Sequence, residues 1–461
     1  MLWQRVVQAL QAQPPIEPIV DPQKVKTLYR YWRRRVMYSL FIGYALFYFT
    51  RKNISIALPA LSADLGYSNV QLGILGSLLY VTYGIGSFVN GIIADRANPR
   101  YFMAVGLFLS ALMNIFFGMS SALWTLAVFW GINGYVQAMG FPPCARLLAN
   151  WYSVSERGFT WSIWHVSHQV GGAVIAILAG YLIQHYGWRS SFYVPAGLCI
   201  VTGFFLWNRL RDTPPSMGLP NIALYKNDIE LNKDGTEVTD EPETVRYILF
   251  HRVLNNHYIW MIGLMNMFLY IVRFGAFDWA TKFLVEQKGS EIAKAGIVVS
   301  LIEIAGIAGP IMGGYISDKW TKGRRGPICC IGFIFSILGL LIFYFNPPGR
   351  PILDGVGLAM IGFWIYIPQF LQGVFAADFA SRKAASSAIG LTRIFGYAGA
   401  SLSGVGTGWF LDHYGWAGGF GFWIGAGTAA ALIAGLLWNA TPATHKFKNG
   451  AIPSAKPDRR V

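Results

Sequence analysis

Two arginines stand inside apolar runs where a charge needs a reason. Arg51 lies in FYFTRKN, residues 47–53, and Arg273 in LYIVRFG, residues 269–275. Each follows a tyrosine at the same spacing, Tyr48 and Tyr270, and the two pairs are 222 residues apart. A guanidinium at the centre of a bilayer costs about 3 kcal/mol even on lenient insertion scales, so it faces a protein interior or water, or snorkels to an interface. Two arginines related by an internal repeat lie opposite each other across its axis, where snorkelling accounts poorly for both. Two converging guanidiniums suit a compact polyanion. Their planar donor forks match phosphate oxygens, with a carboxylate as second choice.

Tyr44, Tyr48 and Arg51 follow i, i+4, i+7 spacing, and so do Asn266, Tyr270 and Arg273, which puts each trio on one helical face. The phenols are placed to donate to the remaining anion oxygens. In a chain with 23 tyrosines, packing or an interfacial belt is the plainer reading of any one of them. WSIWHVSHQVGG, residues 161–172, adds His165 and His168 at i, i+3, with Gln169 beside them. No third ligand accompanies the pair, so a metal site is not expected. One of the two is a candidate phosphate or proton contact.

Further polar groups sit in apolar segments: Tyr80, Tyr83, Ser87 and Asn90, then Asn133 and Gln137 before the interruption GFPPC at 140–144. Asp278 has Lys282 at i+4, and the simplest expectation is a self-neutralised pair. Glu303 lies too deep to be unpaired, and Arg393 is one candidate counter-ion.

The elements that must hold these residues are membrane helices. The chain is 54% hydrophobic and only 13% charged over 461 residues, with a mean hydropathy of +0.42. A soluble chain carries about 25% charged residues. Twelve windows can cross a bilayer, at 36–59, 71–94, 101–119, 122–148, 161–184, 191–208, 257–285, 292–316, 327–346, 352–376, 385–411 and 418–438. The fold class is thus an all-α integral membrane protein with twelve transmembrane helices in two six-helix bundles. Residues 36–208 form the first and 257–438 the second, flanked by an N-terminal tail (1–35), a central loop (209–256) and a C-terminal tail (439–461).

The net charge of +15 comes from basic loops between apolar segments, so nucleic acid is not an expected partner and the lipid bilayer is. Arg5, Lys24, Lys26, Arg30, Arg33, Arg34 and Arg35 precede the first span. Arg96, Arg100, Lys319, Lys322, Arg324, Arg325, Arg382 and Lys383 fill alternate loops. Both termini and the central loop are therefore expected in the cytoplasm, the protein lying in a plasma membrane, in bacteria the inner one. The N-terminus shows no signal-peptide pattern and is expected to remain on the mature protein. Cys144, Cys199, Cys329 and Cys330 show no metal spacing and read as free thiols.

The halves repeat. GIIADRANPR at 91–100 resembles GYISDKWTKGRR at 314–325, placing Asp95 and Arg96 opposite Asp318 as a candidate gating network. GYLIQHYGWRSSF at 180–192 resembles GWFLDHYGWAGGF at 408–420. Parallel six-helix repeats and these loops resemble the major facilitator superfamily, whose substrates bind at the midplane between the halves. The blocks GYALFYFTRKN, QAMGFPPCARLLANWYS, SIWHVSHQVGG, LRDTPPSMGLP and LYIVRFGAFDW resemble one branch of it, the organophosphate:phosphate antiporters. That branch includes glycerol-3-phosphate and hexose-6-phosphate transporters and a hexose-phosphate sensor.

The resemblance covers residues 30–440 and implies exchange of an organic phosphate for inorganic phosphate by alternating access. It implies phosphate-binding roles for Arg51 and Arg273, favours His168 over His165, and adds Tyr44, Tyr48, Tyr83, Tyr270, Tyr366 and Tyr397 as cavity tyrosines. Gln137, Asp278 and Glu303 match further polar positions of the family. Two departures stand out. Ser87 occupies the place of a family lysine in YGIGSF, and TRIF introduces Arg393. SSALW, CARLLANWYS and GWRSSF resemble the hexose-phosphate transporter and sensor branch. Hexose 6-phosphate is therefore the favoured organic substrate and glycerol 3-phosphate the next, with a sensor of the same fold as the alternative. No nucleophile, metal cluster or nucleotide motif points to an enzyme, and no cofactor is expected. The functional unit is expected to be a monomer.

Overall fold

The computed structural model describes residues 11–227, 247, 250, 253–321, 324–380 and 384–440, without the side chains of Val154, Arg157, Asp318 and Ser386. Arg5, Lys322, Arg382, Lys383 and the Asp318 carboxylate therefore lie outside the described residues, as does most of the central loop. The described chain is helical throughout. In the amino half the helices are α1 (Pro22–Leu65), α2 (Asn69–Arg96), α3 (Pro99–Met119), α4 (Leu123–Gln137), α5 (Phe141–Trp151), α6 (Val154–Tyr186) and α7 (Ser190–Arg209). A short helix α8 (Ile222–Lys226) follows in the central loop. The carboxy half holds α9 (His257–Lys288), α10 (Ile292–Lys319), α11 (Arg325–Phe345), α12 (Pro351–Phe379) and α13 (Ala385–Leu436).

Helix boundaries follow local chemistry. Asp21 accepts a bond from the Gln23 amide and Pro22 opens α1, which Gly66 ends in the left-handed conformation at φ 68°. Ser68 and Gln71 form a reciprocal capping box on α2. The expected span at 122–148 is broken between α4 and α5, because Pro142 and Pro143 cannot continue the amide ladder of α4. The last two expected spans run on as α13, divided at Gly415 with φ 61° and ψ −162°.

Nine described helices are long and apolar enough to cross a membrane on composition alone. Helix α1 misses that mark because it carries Arg51, Lys52 and Asn53, and α4, at 15 residues, is too short without α5. With α13 crossing twice, the count is twelve. The chain so returns to the face where it began, here called the terminal face.

The halves meet along three seams: α2 on α13, α6 on α10, and α1 on α9. Glycine permits the first two. A Cβ on Gly73 would lie 2.4 Å from the Gly404 carbonyl oxygen, and one on Gly296 would lie 2.4 Å from that of Ala176. The outer surface is apolar, with Ile85, Phe88 and Ile352 exposed, as lipid contact requires.

Candidate functional site

Arg51 and Arg273 both come to the seam between the halves, 8% and 5% exposed. The Arg51 guanidinium lies 3.9 Å from the Tyr83 ring centroid and 5.3 Å from that of Tyr48. Arg273 lies 4.5 Å from the Tyr366 centroid, and its Nη2 donates to the Tyr366 hydroxyl at 2.7 Å. Aromatic neighbours link the two cations by two routes. On one side Tyr48 meets His168 at 5.4 Å, and His168 meets Tyr366 at 6.0 Å. On the other, Tyr83 meets Tyr397 at 5.1 Å, and Tyr397 meets Tyr270 at 6.1 Å. Tyr270 reaches Phe274, whose ring lies 4.8 Å from the Arg273 guanidinium. The ring closes with a cation in each half. Tyr44 stacks edge-on against Tyr48 at 5.8 Å, one turn towards the terminal face.

Neither guanidinium has a carboxylate at ion-pair distance among the described residues. Their neighbour does. Lys52 Nζ sits 2.6 Å from Asp278 Oδ1, an ion pair between α1 and α9 in which the lysine is buried and the aspartate half-buried. Tyr80 and Ser55 hydroxyls also donate to Asp278, at 2.7 Å each. The Lys52 ammonium lies 4.5 Å and 4.6 Å from the Phe274 and Phe277 rings. This overturns the expected Asp278–Lys282 pair: Lys282 instead meets Glu286 and, at 3.4 Å, Ser62. In α9 Asp278 faces the other half, where a full ammonium and two hydroxyls wait, while Lys282 lies a turn farther on. The pairing with Lys52 was missed. Its only sequence signal was the RKN triplet itself, in which Lys52 follows Arg51 onto a different helix face.

Glu303 is buried and accepts a short bond from the Tyr366 hydroxyl, so Arg273, Tyr366 and Glu303 form a chain. Arg393 is not its counter-ion. That guanidinium lies 4.9 Å from the Phe141 ring of the amino half. Gln137 is placed in a polar network rather than in the ring. Its Nε2 reaches Thr50 Oγ1 at 2.9 Å and Ser110 Oγ at 2.8 Å, while its Oε1 has no protein partner. Asn133 and Asn114 donate to the Thr50 carbonyl at 2.8 Å and 3.1 Å. The network clamps the backbone one residue before Arg51 and so positions it. Asn266 ties α9 to α13 through the Thr392 carbonyl at 2.8 Å.

At the terminal face Asp95 and Arg96 are exposed. Arg146, not anticipated, reaches the carbonyls of Ala94, Asp95 and Ala97 with Nη1 and the Asp212 carboxylate with Nη2. It satisfies the open carbonyls at the C-terminus of α2. Asn90 bonds the Tyr135 carbonyl at 3.0 Å, and Ser87 is half-buried. No group of three or more potential metal ligands occurs among the described residues.

Every inter-half hydrogen bond among the described residues lies beyond Arg51 and Arg273, away from the terminal face. Besides the Asp278 cluster and the Lys282–Ser62 contact, Ser77 joins Ser401 and Val405, at 2.5 Å and 2.8 Å. Asp412 of α13 accepts from the Asn69 and Val70 amides at 3.1 Å and 2.9 Å, capping α2 from the other half. The molecule is latched on the far face.

Residues 40–404 match the Major Facilitator Superfamily. The chain is 46% identical over 448 residues to a "Probable hexose phosphate transport protein" of Chlamydia pneumoniae, covering 95% of this chain and 98% of that one. It is 40% identical to the "Glycerol-3-phosphate transporter" of Bacillus subtilis, over 92% and 96% of the two chains. It is 37% identical to the "Membrane sensor protein UhpC" of Escherichia coli, again over 92% and 96%. Among solved structures, a bacterial homologue of the human lysosomal transporter Spinster, inward-facing and occupied, superposes with a TM-score of 0.69 at 16% identity. The superposition covers 88% of this chain and 97% of that one, and it shows the shared fold. The protein is a multi-pass membrane protein and not an enzyme. The chain belongs to the Major Facilitator Superfamily, in the branch that holds hexose phosphate transport proteins, glycerol-3-phosphate transporters and a membrane sensor.

Proposed function

We propose that this protein exchanges a sugar phosphate for inorganic phosphate by alternating access, with hexose 6-phosphate favoured and glycerol 3-phosphate next. One observation carries the reading: Arg51 and Arg273 are both buried at the seam with no carboxylate partner among the described residues, while adjacent Lys52 has Asp278. Arg273 reaches the Glu303 carboxylate only through the Tyr366 hydroxyl, and Arg51 has rings and hydroxyls alone. A buried cation without a close counter-ion costs several kcal/mol, of the order of 3–5, and a phosphate dianion between the two offsets that cost, most of all at Arg51. His168 and the hydroxyls of Tyr48 and Tyr270 supply further contacts from the two halves. The Chlamydia relative, named for probable hexose phosphate transport, supports the organic partner.

In this reading the phosphoryl group draws the halves together about the clamp, and residues 36–208 and 257–438 rock as bodies. The empty site leaves Arg51 without a counter-ion and Arg273 with Glu303 only through Tyr366, which raises the barrier to return and couples outward to inward movement of phosphate. By the distribution of Lys and Arg, both termini and the central loop face the cytoplasm of a bacterial inner membrane. The working unit is a monomer, since both arginines come from one chain.

The test is counterflow. Proteoliposomes loaded with inorganic phosphate should take up labelled phosphate, and external glucose 6-phosphate should compete better than glycerol 3-phosphate. Uptake that needs no internal phosphate would sink the exchange mechanism. A second reading rests on the sensor among the relatives: the same site binds sugar phosphate and signals. Tight binding without counterflow would favour it.

A further inference from the structure

One helical turn towards the terminal face from the clamp lies a second tier of side chains. Helical spacing generates it. Tyr44 precedes Tyr48 by four residues, His165 precedes His168 by three, and Arg393 precedes Tyr397 by four. Each partner in the lower tier is therefore about 5 Å nearer the terminal face. Arg393 belongs to the seam face of α13. The stripe Arg393, Tyr397, Ser401, Gly404, Gly408 repeats at helical spacing, and its later members pack on α2: Tyr397 on Tyr83, the Ser401 carbonyl on Ser77, Gly404 on Gly73.

The lower tier brings the two halves together differently from the clamp. Arg393, from the carboxy half, is exposed and lies 4.9 Å from the Phe141 ring of the amino half. His165 lies 4.5 Å from His168 and 6.4 Å from Trp164, whose ring is 5.6 Å from Phe141. Phe141 adjoins Trp161 at 6.2 Å and Tyr44 at 6.4 Å, an aromatic wall. No carboxylate pairs with Arg393 among the described residues. The wall and the cation do not form a second phosphate clamp, which has two guanidiniums. They form the arrangement that suits a pyranose ring: apolar C–H faces against aromatics, and adjacent hydroxyl oxygens against a planar donor fork.

We infer that Arg393, with His165 and the Phe141–Trp161 wall, is a specificity subsite that reads the sugar ring of a hexose phosphate whose phosphoryl group sits at Arg51 and Arg273. The inference rests on the phosphate clamp proposed above. It adds that the distance of one turn separates substrates by length. A hexose 6-phosphate reaches both tiers, glycerol 3-phosphate reaches the lower one only with its last hydroxyl, and inorganic phosphate occupies the clamp alone.

The test measures ligand binding to purified full-length protein by thermal shift, so that it reads the subsite whether or not the protein transports. Arg393→Gln should weaken glucose 6-phosphate about tenfold, the scale of a lost charged hydrogen bond, while glycerol 3-phosphate and inorganic phosphate weaken by less than about threefold. Arg393→Lys should recover part of the loss, and Phe141→Leu should shift the same ligand in the same direction. Equal weakening of all three ligands would mark Arg393 as structural and overturn the inference. So would an unchanged glucose 6-phosphate affinity, or a larger loss for 3-phosphoglycerate, which would make the tier an anion site. Absence of counterflow with this binding order intact defeats the transport mechanism and leaves the subsite standing.

Discussion

Buried Lys52 and half-buried Asp278 join the two halves of the molecule through a 2.6 Å ion pair, one residue along from Arg51. The pair belongs to the far-face latch, and the clamp lies immediately beside it. Opening the far face must therefore separate a buried ammonium from a half-buried carboxylate. In the proposed function, a phosphate held by Arg51 and Arg273 would offset that cost, because it would add a negative charge beside Lys52 as Asp278 leaves.

Removing one member of this pair should cost more than removing both. Lys52→Ala strands the Asp278 carboxylate and should destabilise the latched state by about 3–5 kcal/mol. Lys52→Met with Asp278→Leu should recover most of that loss while exchange stays low. Thermal unfolding in detergent and proteoliposome exchange check the two halves of the statement. A double variant no more stable than the single one would refute it.

The clamp arginines should not tolerate lysine. Arg51→Lys and Arg273→Lys keep the charge but lose the planar fork, and each should lower phosphate exchange by about a hundredfold, the cost of misplacing a bound anion by an ångström. Labelled-phosphate counterflow measures it. Normal rates in either variant would remove that arginine from the site.

Asp412 caps α2 across the seam with bonds to the Asn69 and Val70 amides. Asp412→Asn should weaken far-face closure by about 1 kcal/mol, a fivefold shift in the balance of states. Buried Leu72 adjoins this seam. A cysteine placed there should react faster with an impermeant thiol reagent when Asp412 is also changed. An unchanged rate would show that the cap does not hold the face shut.

At the terminal face Glu156 receives Arg33 of α1 at 2.5 Å and Lys226 of α8 at 2.6 Å. Burial pushes its carboxyl up, but the Lys226 hydrogen bond and the Arg33 and Lys226 charges outweigh that and hold it below the ordinary 4.5. A depressed folded-state value stabilises docking above the ordinary value and is lost as pH falls through the depressed one. Proteolysis of the central loop should therefore be slow at neutral pH and rise below about pH 4.5. Glu156→Gln should be cut faster at neutral pH and lose that pH response.

Much of this was legible before any coordinates. Two arginines at equal phase in a repeated chain come to one seam, because internal symmetry turns a spacing in sequence into a meeting in space. Helix ends were legible where one residue type satisfies open amides or breaks the ladder, as at Asp21, Ser68 and Pro142. What stayed hidden were partners chosen across the seam. Asp278 has a lysine at the helical spacing that favours pairing, yet it bonds Lys52, Tyr80 and Ser55 from the other half. Gln137 has the polarity of a ligand group, yet its amide is committed to Thr50 and Ser110.

Composition and periodicity along one chain are enough for the lipid solvent, the number of crossings and the internal repeat. Which of the adjacent cations finds a carboxylate across the seam is settled in three dimensions. That outcome depends on a few ångströms between helices far apart in sequence: Lys52 falls within 2.6 Å of a carboxylate. Arg51, its neighbour, is turned by helical geometry to a face lined by tyrosine rings.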